Sequence, residues 1–341
     1  MPGEKEIVMS EDHVLKFQRM APAVIKDKAI DMLMIYPTPA FDSPFFLTPL
    51  SIMYPGAMFE AKGMRVSYVD LRWDSWQMME DLIKDSAQIG VSAFTGFQCA
   101  KAMDVIERAK QINPKIIVNV GGHHARLCTK DVEAEPLVDV VWPERAYGEE
   151  LFPFSPGAQR MWKRGDLQMV TSTGCPFNCS FCALHSAWNP RDLDALEHQV
   201  DMVHDLTGFN EVSFSDPNLG HGRYKGADGK SVRLDRVERM RGIGKILRKH
   251  NIRWDGNLRT DLIDAEMVDA MAWSGCFSIE FGCESGNDEF LRKIIKKGHG
   301  VDVIKNANQC MAGSGISVMN SWVRGMPFET HEQWLDTMNL I

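Results

Sequence analysis

Thr173-Gly-Cys-Pro-Phe-Asn-Cys-Ser-Phe-Cys-Ala-Leu-His185 is the stretch on which the reading of this 341-residue chain turns. Cys175, Cys179 and Cys182 stand in a C-x3-C-x2-C spacing just after the apolar run Leu167 to Val170. The Gly-Cys-Pro start favours a loop over a helix. Thiolates this close in sequence can converge on one metal centre. A 4Fe–4S cube normally takes four of them, so three in one loop would leave an iron free for another ligand. The same residues admit a Cys3His zinc site with His185 as the fourth ligand. Zinc ligands usually come as two spaced pairs, however, and here all four would crowd into one loop.

Composition bounds the rest. The chain is 44% apolar and 25% charged, the balance of a globular protein with room for two domains. A net charge of −8 argues against a nucleic-acid partner held through its phosphates. No apolar run is long enough to span a bilayer, and Met-Pro-Gly-Glu-Lys-Glu at the start lacks the apolar segment of a signal peptide. Eight cysteines in such a chain point to a reducing cytoplasm with metal-binding or catalytic thiols. The scattered methionines, 21 in all, read as core filling.

Residues 1–28 read as an N-terminal extension. From residue 29 to 145, short apolar runs alternate with helical patterns: strands at 30–36, 66–71, 88–93, 116–120 and 138–142, helices at 50–62, 76–86, 100–112 and 129–135. That alternation predicts an α/β domain, a Rossmann-like doubly wound parallel sheet with ligands beyond the strand C-termini. Residues 146–167, with Phe-Pro-Phe-Ser-Pro-Gly inside, have linker chemistry. Over 168–341 the alternation resumes for five βα steps, which predicts a partial (βα)6, TIM-like barrel with its reactive residues at the C-terminal face. The loop from Gly220 to Lys225, with His221 and Tyr224, reads as a mobile polar loop, and an Asp-Leu-Ile-Asp264 run reads as helix capping that includes Asp261. Cys99, Cys128, Cys276, Cys283 and Cys310 lack paired spacing and read as small buried hydrophobes.

The cysteine loop, with Phe181 just before Cys182, resembles the cluster loop of the radical S-adenosylmethionine (SAM) superfamily. The resemblance implies that the three cysteines hold a 4Fe–4S cluster whose free iron binds SAM, and that an electron from it cleaves SAM to methionine and a 5′-deoxyadenosyl radical. It also implies an electron donor such as flavodoxin or ferredoxin. Phe181 would lie near the adenine. Asp216 or Asn218 would lie near the SAM amino group, Arg259 near its carboxylate, Glu284 near the ribose, and Pro327 in a further SAM-binding turn. A zwitterion and a diol do call for acceptors and a guanidinium fork.

The preceding domain is similar to the cobalamin-binding domain of one large subclass of that superfamily. The similarity lies in Pro49 to Met53, Ser92 with Thr95, Gly121 to His124, and Gly148 to Glu150. It implies that Ser92, Thr95, Gly96, Gly121, Gly122, His123 and His124 surround the nucleotide tail of cobalamin. No Asp-x-His-x-x-Gly motif is present to place a histidine on cobalt. The chain departs from the subclass at Gly325-Met-Pro-Phe-Glu-Thr330, where Phe328 stands in place of a glycine, and it stops within the helix after the fifth barrel strand.

The expected function is a cobalamin-dependent radical SAM methyltransferase acting on an unactivated carbon or phosphorus of a small-molecule substrate. Oxidative cyclisation or ring rearrangement with the same cofactors is the neighbouring expectation. A zinc-bearing binding module without turnover is the alternative from another class. Methylthiotransferases fit less well: their N-terminal domain supplies three cysteines, and here it offers only Cys99 and Cys128.

Overall fold

The computed structural model describes residues 27–38, 47–143, 152–184, 186–226 and 229–341, and the chain divides into two compact units, Met1–Gly165 and Asp166–Ile341. The expected N-terminal extension, apart from its last two residues, lies outside the described residues, as do His185 and Gly148 to Glu150.

In unit 1 the elements run β1 (Met32–Tyr36), α1 (Leu50–Glu60), β2 (Val66–Asp70), α2 (Trp76–Lys84), β3 (Gln88–Ser92), α3 (Phe97–Ile112), β4 (Ile117–Gly121), α4 (His123–Leu127), α5 (Thr129–Glu133), β5 (Val140–Val141) and α6 (Pro156–Trp162). The sheet is parallel, in the order β2-β1-β3-β4-β5. Every residue of β3 is buried, as a central strand covered on both faces must be. Strand order reverses between β1 and β3, and in such sheets the ligand crevice opens at that switch, beyond the strand C-termini.

The region read as a linker is partly helix. Ser155 caps α6 by accepting from the Ala158 amide, and Pro156 fills the first turn, where its missing N–H costs nothing. Ser155 also donates to Glu60 at 2.6 Å, Arg164 pairs with Asp74 at 2.9 Å, and the Trp162 indole donates to Pro153 O at 2.7 Å. Helix α6 thus belongs to unit 1. Its Ser-Pro-Gly opening resembles a turn in sequence because caps and turns use the same residues.

Unit 2 runs β6 (Gln168–Met169), β7 (Ser172–Cys175), β8 (Ser186–Pro190), α7 (Leu193–Thr207), β9 (Glu211–Phe214), β10 (Arg223–Lys225), β11 (Ser231–Arg233), α8 (Arg236–Lys249), β12 (Arg253–Leu258), α9 (Ala265–Trp273), β13 (Cys276–Glu284), α10 (Val301–Met311), β14 (Ser317–Trp322) and α11 (His331–Leu340). A 3-10 turn at Thr260–Leu262 follows β12, and a π-helical turn at Phe290–Ile295 follows β13. Five parallel strands lie in the order β6-β9-β12-β13-β14, each beside the next in the chain. Unlike unit 1 there is no reversal, so all strand C-termini gather along one continuous rim, as in a barrel wall.

Two short antiparallel ribbons decorate that rim. β7 pairs with β8, so the cysteine loop is the turn of a hairpin, and β10 pairs with β11. The second ribbon corrects the reading of residues 220–225 as a mobile loop: Arg223, Tyr224 and Lys225 pair with Arg233, Val232 and Ser231. Capping is also corrected. Asp264 caps α9 through the Met267 amide at 2.9 Å, whereas Asp261 pairs with Arg259.

Candidate functional site

The rim of unit 2 is built upward from the cysteine loop. Gly174 has φ +76°, and a Cβ there would lie 1.9 Å from Ala187 O, so only glycine lets β7 meet β8 this closely before Cys175. Cys179 is buried, Cys175 and Cys182 are half-buried, and the Cys182 amide closes a turn onto Cys179 O at 3.0 Å. Ser180 fastens the loop to the π-helical turn, its amide donating to Ile295 O at 2.9 Å and its hydroxyl to Ile294 O at 2.7 Å. Burial raises the Cys175 thiol pKa; the Phe177 amide and the Arg259 charge pull the other way. Among the described residues no three His, Cys, Asp or Glu side chains converge tightly enough for a single metal ion.

The strand ends supply the polar groups. Asp216 does not face an open pocket: it is buried, accepting from the Thr171 amide at 2.8 Å, from Thr171 Oγ1 at 2.6 Å and from the Ser172 hydroxyl. Burial raises its pKa, opposed by those hydroxyls and by the Arg239 charge. The carboxylate therefore pins the corner where the chain leaves β6 for β7. Asn218, two residues on, differs. It is fully buried, and neither its Nδ2 nor its Oδ1 has a partner. Its backbone carbonyl accepts from the Trp188 indole at 3.0 Å.

Arg259 follows β12, and its guanidinium is occupied by Asp261, Lys297 O and Cys179 Sγ. Glu284 ends β13 with φ +68° at a register shift, and its carboxylate meets the Lys297 ammonium at 2.8 Å. Phe181 is 45% exposed at the loop surface, free to lie against a planar ring. Pro327 is exposed in the turn after β14, and the next residue, Phe328, takes φ +71°. The turn thus keeps its glycine-like backbone although a phenylalanine occupies it.

Sequence reasoning missed Lys297 and His299. Both are buried at this rim, with His299 Nε2 3.2 Å from Thr260 Oγ1. Their signal was the run Lys296-Lys297-Gly298-His299-Gly300 just beyond a helical pattern, with left-handed backbone at Lys296 and Gly298. His221, taken for a loop residue, sits edge-on to both Phe177 and Trp188 at 5.6 Å. Of the remaining thiols, Cys276 and Cys283 are buried, with Cys283 pushed up to about 12, whereas Cys310 is exposed and is no core residue.

In unit 1 the loops after β3 and β4 come together. Ser92 Oγ donates to Ser51 Oγ at 2.9 Å, and the His124 amide donates to Ala93 O at 3.0 Å. Gly122 has φ +93°, and a Cβ there would lie 2.7 Å from Ala93 O, so the two loops can touch only at glycine. Thr95, Gly96 and Gly122 are exposed, and no atom lies within 4 Å of the position a Gly96 Cβ would take. Gly121 continues β4 beside Ser92. The Phe94 and His123 rings stack at 5.2 Å, and Phe94 and Phe97 stand 57% and 72% exposed. His124 Nδ1 is buried without a partner. Beyond β3 and β4, then, lie two touching loops with open space at Gly96 and an exposed aromatic surface.

Comparison with known proteins adds the family. A model of the radical SAM superfamily matches residues 169–341, and one of the B12 binding domain matches residues 40–153. An uncharacterized methyltransferase of Pyrococcus horikoshii is 26% identical over 172 residues, which is 48% of this chain and 34% of that protein. The cobalamin-dependent SAM radical enzyme OxsB, solved with aqua-cobalamin and SAM, aligns with a TM-score of 0.71 at 15% identity, covering 92% of this chain and 52% of OxsB. The radical SAM methyltransferase TsrM of Kitasatospora setae, solved with cobalamin and a 4Fe–4S cluster, aligns with a TM-score of 0.67 at 16% identity, covering 91% of this chain and 73% of TsrM. The chain thus spans about a third of the length of the Pyrococcus relative.

Proposed function

This chain belongs to the radical SAM superfamily and carries a B12 binding domain ahead of the radical SAM domain; from that premise we propose that it is a cobalamin-dependent methyltransferase. It places a methyl group on an unactivated carbon or phosphorus centre of a small molecule, after hydrogen abstraction from that substrate. A low-potential donor such as a flavodoxin or ferredoxin supplies the electron. Residues 29–145 serve as the cobalamin domain and 168–341 as the radical SAM barrel, in partial (βα)6 form. The observation that carries this reading is the presence, in one chain, of two touching loops after β3 and β4, exposed at Thr95, Gly96 and Gly122, and a three-cysteine loop on a barrel rim.

The residues present fit these cofactors. Cys175, Cys179 and Cys182, free thiols in one loop of the radical SAM domain, would hold the cluster. The unpartnered buried amide of Asn218 offers a donor and an acceptor to the amino-acid end of SAM. Glu284, one carboxylate oxygen held by Lys297, keeps the other for the ribose. The loops carrying Ser92, Thr95, Gly96, Gly121, Gly122, His123 and His124 would form the cradle for the tail of cobalamin, with open space where a Gly96 Cβ would stand. When bound, the cluster and SAM supply radical chemistry and cobalamin supplies the methyl group. The chain itself orients and shields. Ser180 and Arg259 fix the cysteine loop, and Phe177, Trp188 and His221 wall it with rings.

Anaerobic reconstitution tests this. The protein should bind iron and sulfide with charge-transfer absorption, retain cobalamin through gel filtration, and release 5′-deoxyadenosine from SAM on reduction. A methyl label from SAM should appear in the product. Failure to bind cobalamin would overturn the methyltransferase reading, and a product without added carbon would assign the chain to cyclisation or rearrangement. Replacing all three loop cysteines by alanine should remove the iron while leaving unit 1 folded.

A further inference from the structure

We infer that Arg259 is a positioning residue that sets the reduction potential of the iron–sulfur cluster through Cys179, and is not the fork that grips the SAM carboxylate. The inference rests on the cluster reading above and departs from it at this residue.

A guanidinium carries five N–H groups. In Arg259, Nε reaches Asp261 Oδ1 at 2.9 Å and Nη2 reaches Asp261 Oδ2 at 3.1 Å. Nη2 also donates to the Lys297 carbonyl at 2.6 Å, and Nη1 reaches Cys179 Sγ at 3.6 Å, within the longer reach of sulfur. One N–H on Nη1 is left. Gripping a carboxylate in the bidentate manner takes two parallel N–H groups, and no edge of Arg259 still offers them. One face is covered too: its central carbon lies 3.6 Å from the centre of the Phe177 ring, and the residue is only 7% exposed.

What the group does offer is a fixed positive charge that donates to a cysteine sulfur. Hydrogen bonds to the sulfurs, together with net charge, are main controls on cluster potential. Donation to the Cys179 thiolate draws electron density from the cluster and favours its reduced, more negative form, so a low-potential one-electron donor reduces it more readily. Asp261 works against this. Its carboxylate binds another edge of the same guanidinium and offsets part of the charge. Two opposed charges therefore act on one sulfur, and removing each should move the potential in opposite directions. A strut with only a mechanical role would not behave so.

The test is a redox titration of the anaerobically reconstituted protein without SAM, with dithionite and mediators, followed by electron paramagnetic resonance of the reduced cluster. Wild-type protein that forms no 4Fe–4S signal would remove the cluster reading itself, before any variant is compared. Given that signal, Arg259→Met should titrate at a more negative potential, Arg259→Lys should recover part of the shift, and Asp261→Asn should titrate at a more positive one. Arg259→Met with full iron content and an unchanged potential would overturn the inference. Should Arg259→Met lose its iron, Asp261→Asn carries the test, and no shift or a negative shift there overturns it. Calorimetry with S-adenosylhomocysteine gives the second reading. Arg259→Lys should bind within about threefold of wild type, whereas a tenfold or greater loss with an unchanged potential would restore Arg259 to the carboxylate.

Discussion

Lys297 and Glu284 form an ion pair 2.8 Å across, with side chains only 4% and 9% exposed. The pair lies over Gly282, where a Cβ would come within 2.5 Å of the carboxylate and 3.0 Å of the ammonium. Breaking one side of a buried pair strands the other charge, at about 3–5 kcal/mol. Lys297→Met should therefore destabilise unit 2 by about that much in urea unfolding. Adding Glu284→Gln should restore part of it, since no charge is then left alone. Strictly additive losses in the double-mutant cycle would show that the two groups do not act as a pair.

Asn218 should show opposite effects on stability and binding. A buried amide with unsatisfied atoms costs about 1–3 kcal/mol, so Asn218→Leu should stabilise the cofactor-free protein by about 1 kcal/mol. The same change should weaken S-adenosylhomocysteine at least tenfold, measured by calorimetry on the reconstituted protein. Loss of both stability and affinity would mean that the amide is an ordinary core group.

Phe328 holds φ +71° while 84% exposed, so its ring contributes no packing to offset the backbone cost. Left-handed backbone costs a residue with a side chain about 1–2 kcal/mol. Phe328→Gly should raise stability by about 1 kcal/mol, and Phe328→Ala, which keeps the Cβ, should not. Equal gains in both would place the cost in the ring and not in the backbone.

His299 couples the rim to pH. Burial lowers its pKa, the Gly300 carbonyl and Asp261 act against this, and the Arg259 and Lys297 charges add to it. The folded protein thus keeps this imidazole neutral after the unfolded chain has begun to bind a proton, near pH 6.5 (about the free value). Its contribution to stability is present above that pH and is lost as pH falls toward the folded value. Urea unfolding at about pH 7.5 and 5.5 should show a smaller drop in His299→Gln than in wild type. Parallel drops would exclude His299 as the sensing group.

Cobalamin should bind with its own base displaced and no histidine beneath cobalt. The His123 ring is stacked on Phe94, and His124 lies in the loop that touches Ala93, beyond β4. Both belong to the cradle proposed for the nucleotide tail. Electron paramagnetic resonance of the cob(II)alamin form should show no axial nitrogen splitting. A nitrogen triplet that vanishes in His123→Ala or His124→Ala would contradict this.

The alternation of strands and helices was most legible in unit 1, where short runs rich in apolar residues are separated by helical patterns. Helix α9 begins directly after Asp264, the end of the run whose residues signalled a helix cap. What stayed illegible is the work of residues far apart in sequence. Asp216 and Asn218 look alike as polar residues after a strand. Only the fold shows that Thr171 and Ser172 saturate the first and leave the second bare. Arg259 likewise looks like any arginine after a strand until Asp261, Lys297 and Cys179 surround it. The ribbon β10–β11 escaped because its three-residue strands are polar and carry no clear period.

The two bonds from Ser180 to Ile294 and Ile295 span more than a hundred residues of chain. Closing so long a loop is an entropic cost met only once both ends are structured. During synthesis the cysteines emerge long before the turn that clasps them, so the clasp can close only after the second half of the barrel has been made. A chain ending before residue 290 should therefore carry all three thiols and still fail to retain iron. Retention of the cluster would then depend on residues made more than a hundred positions after its cysteines.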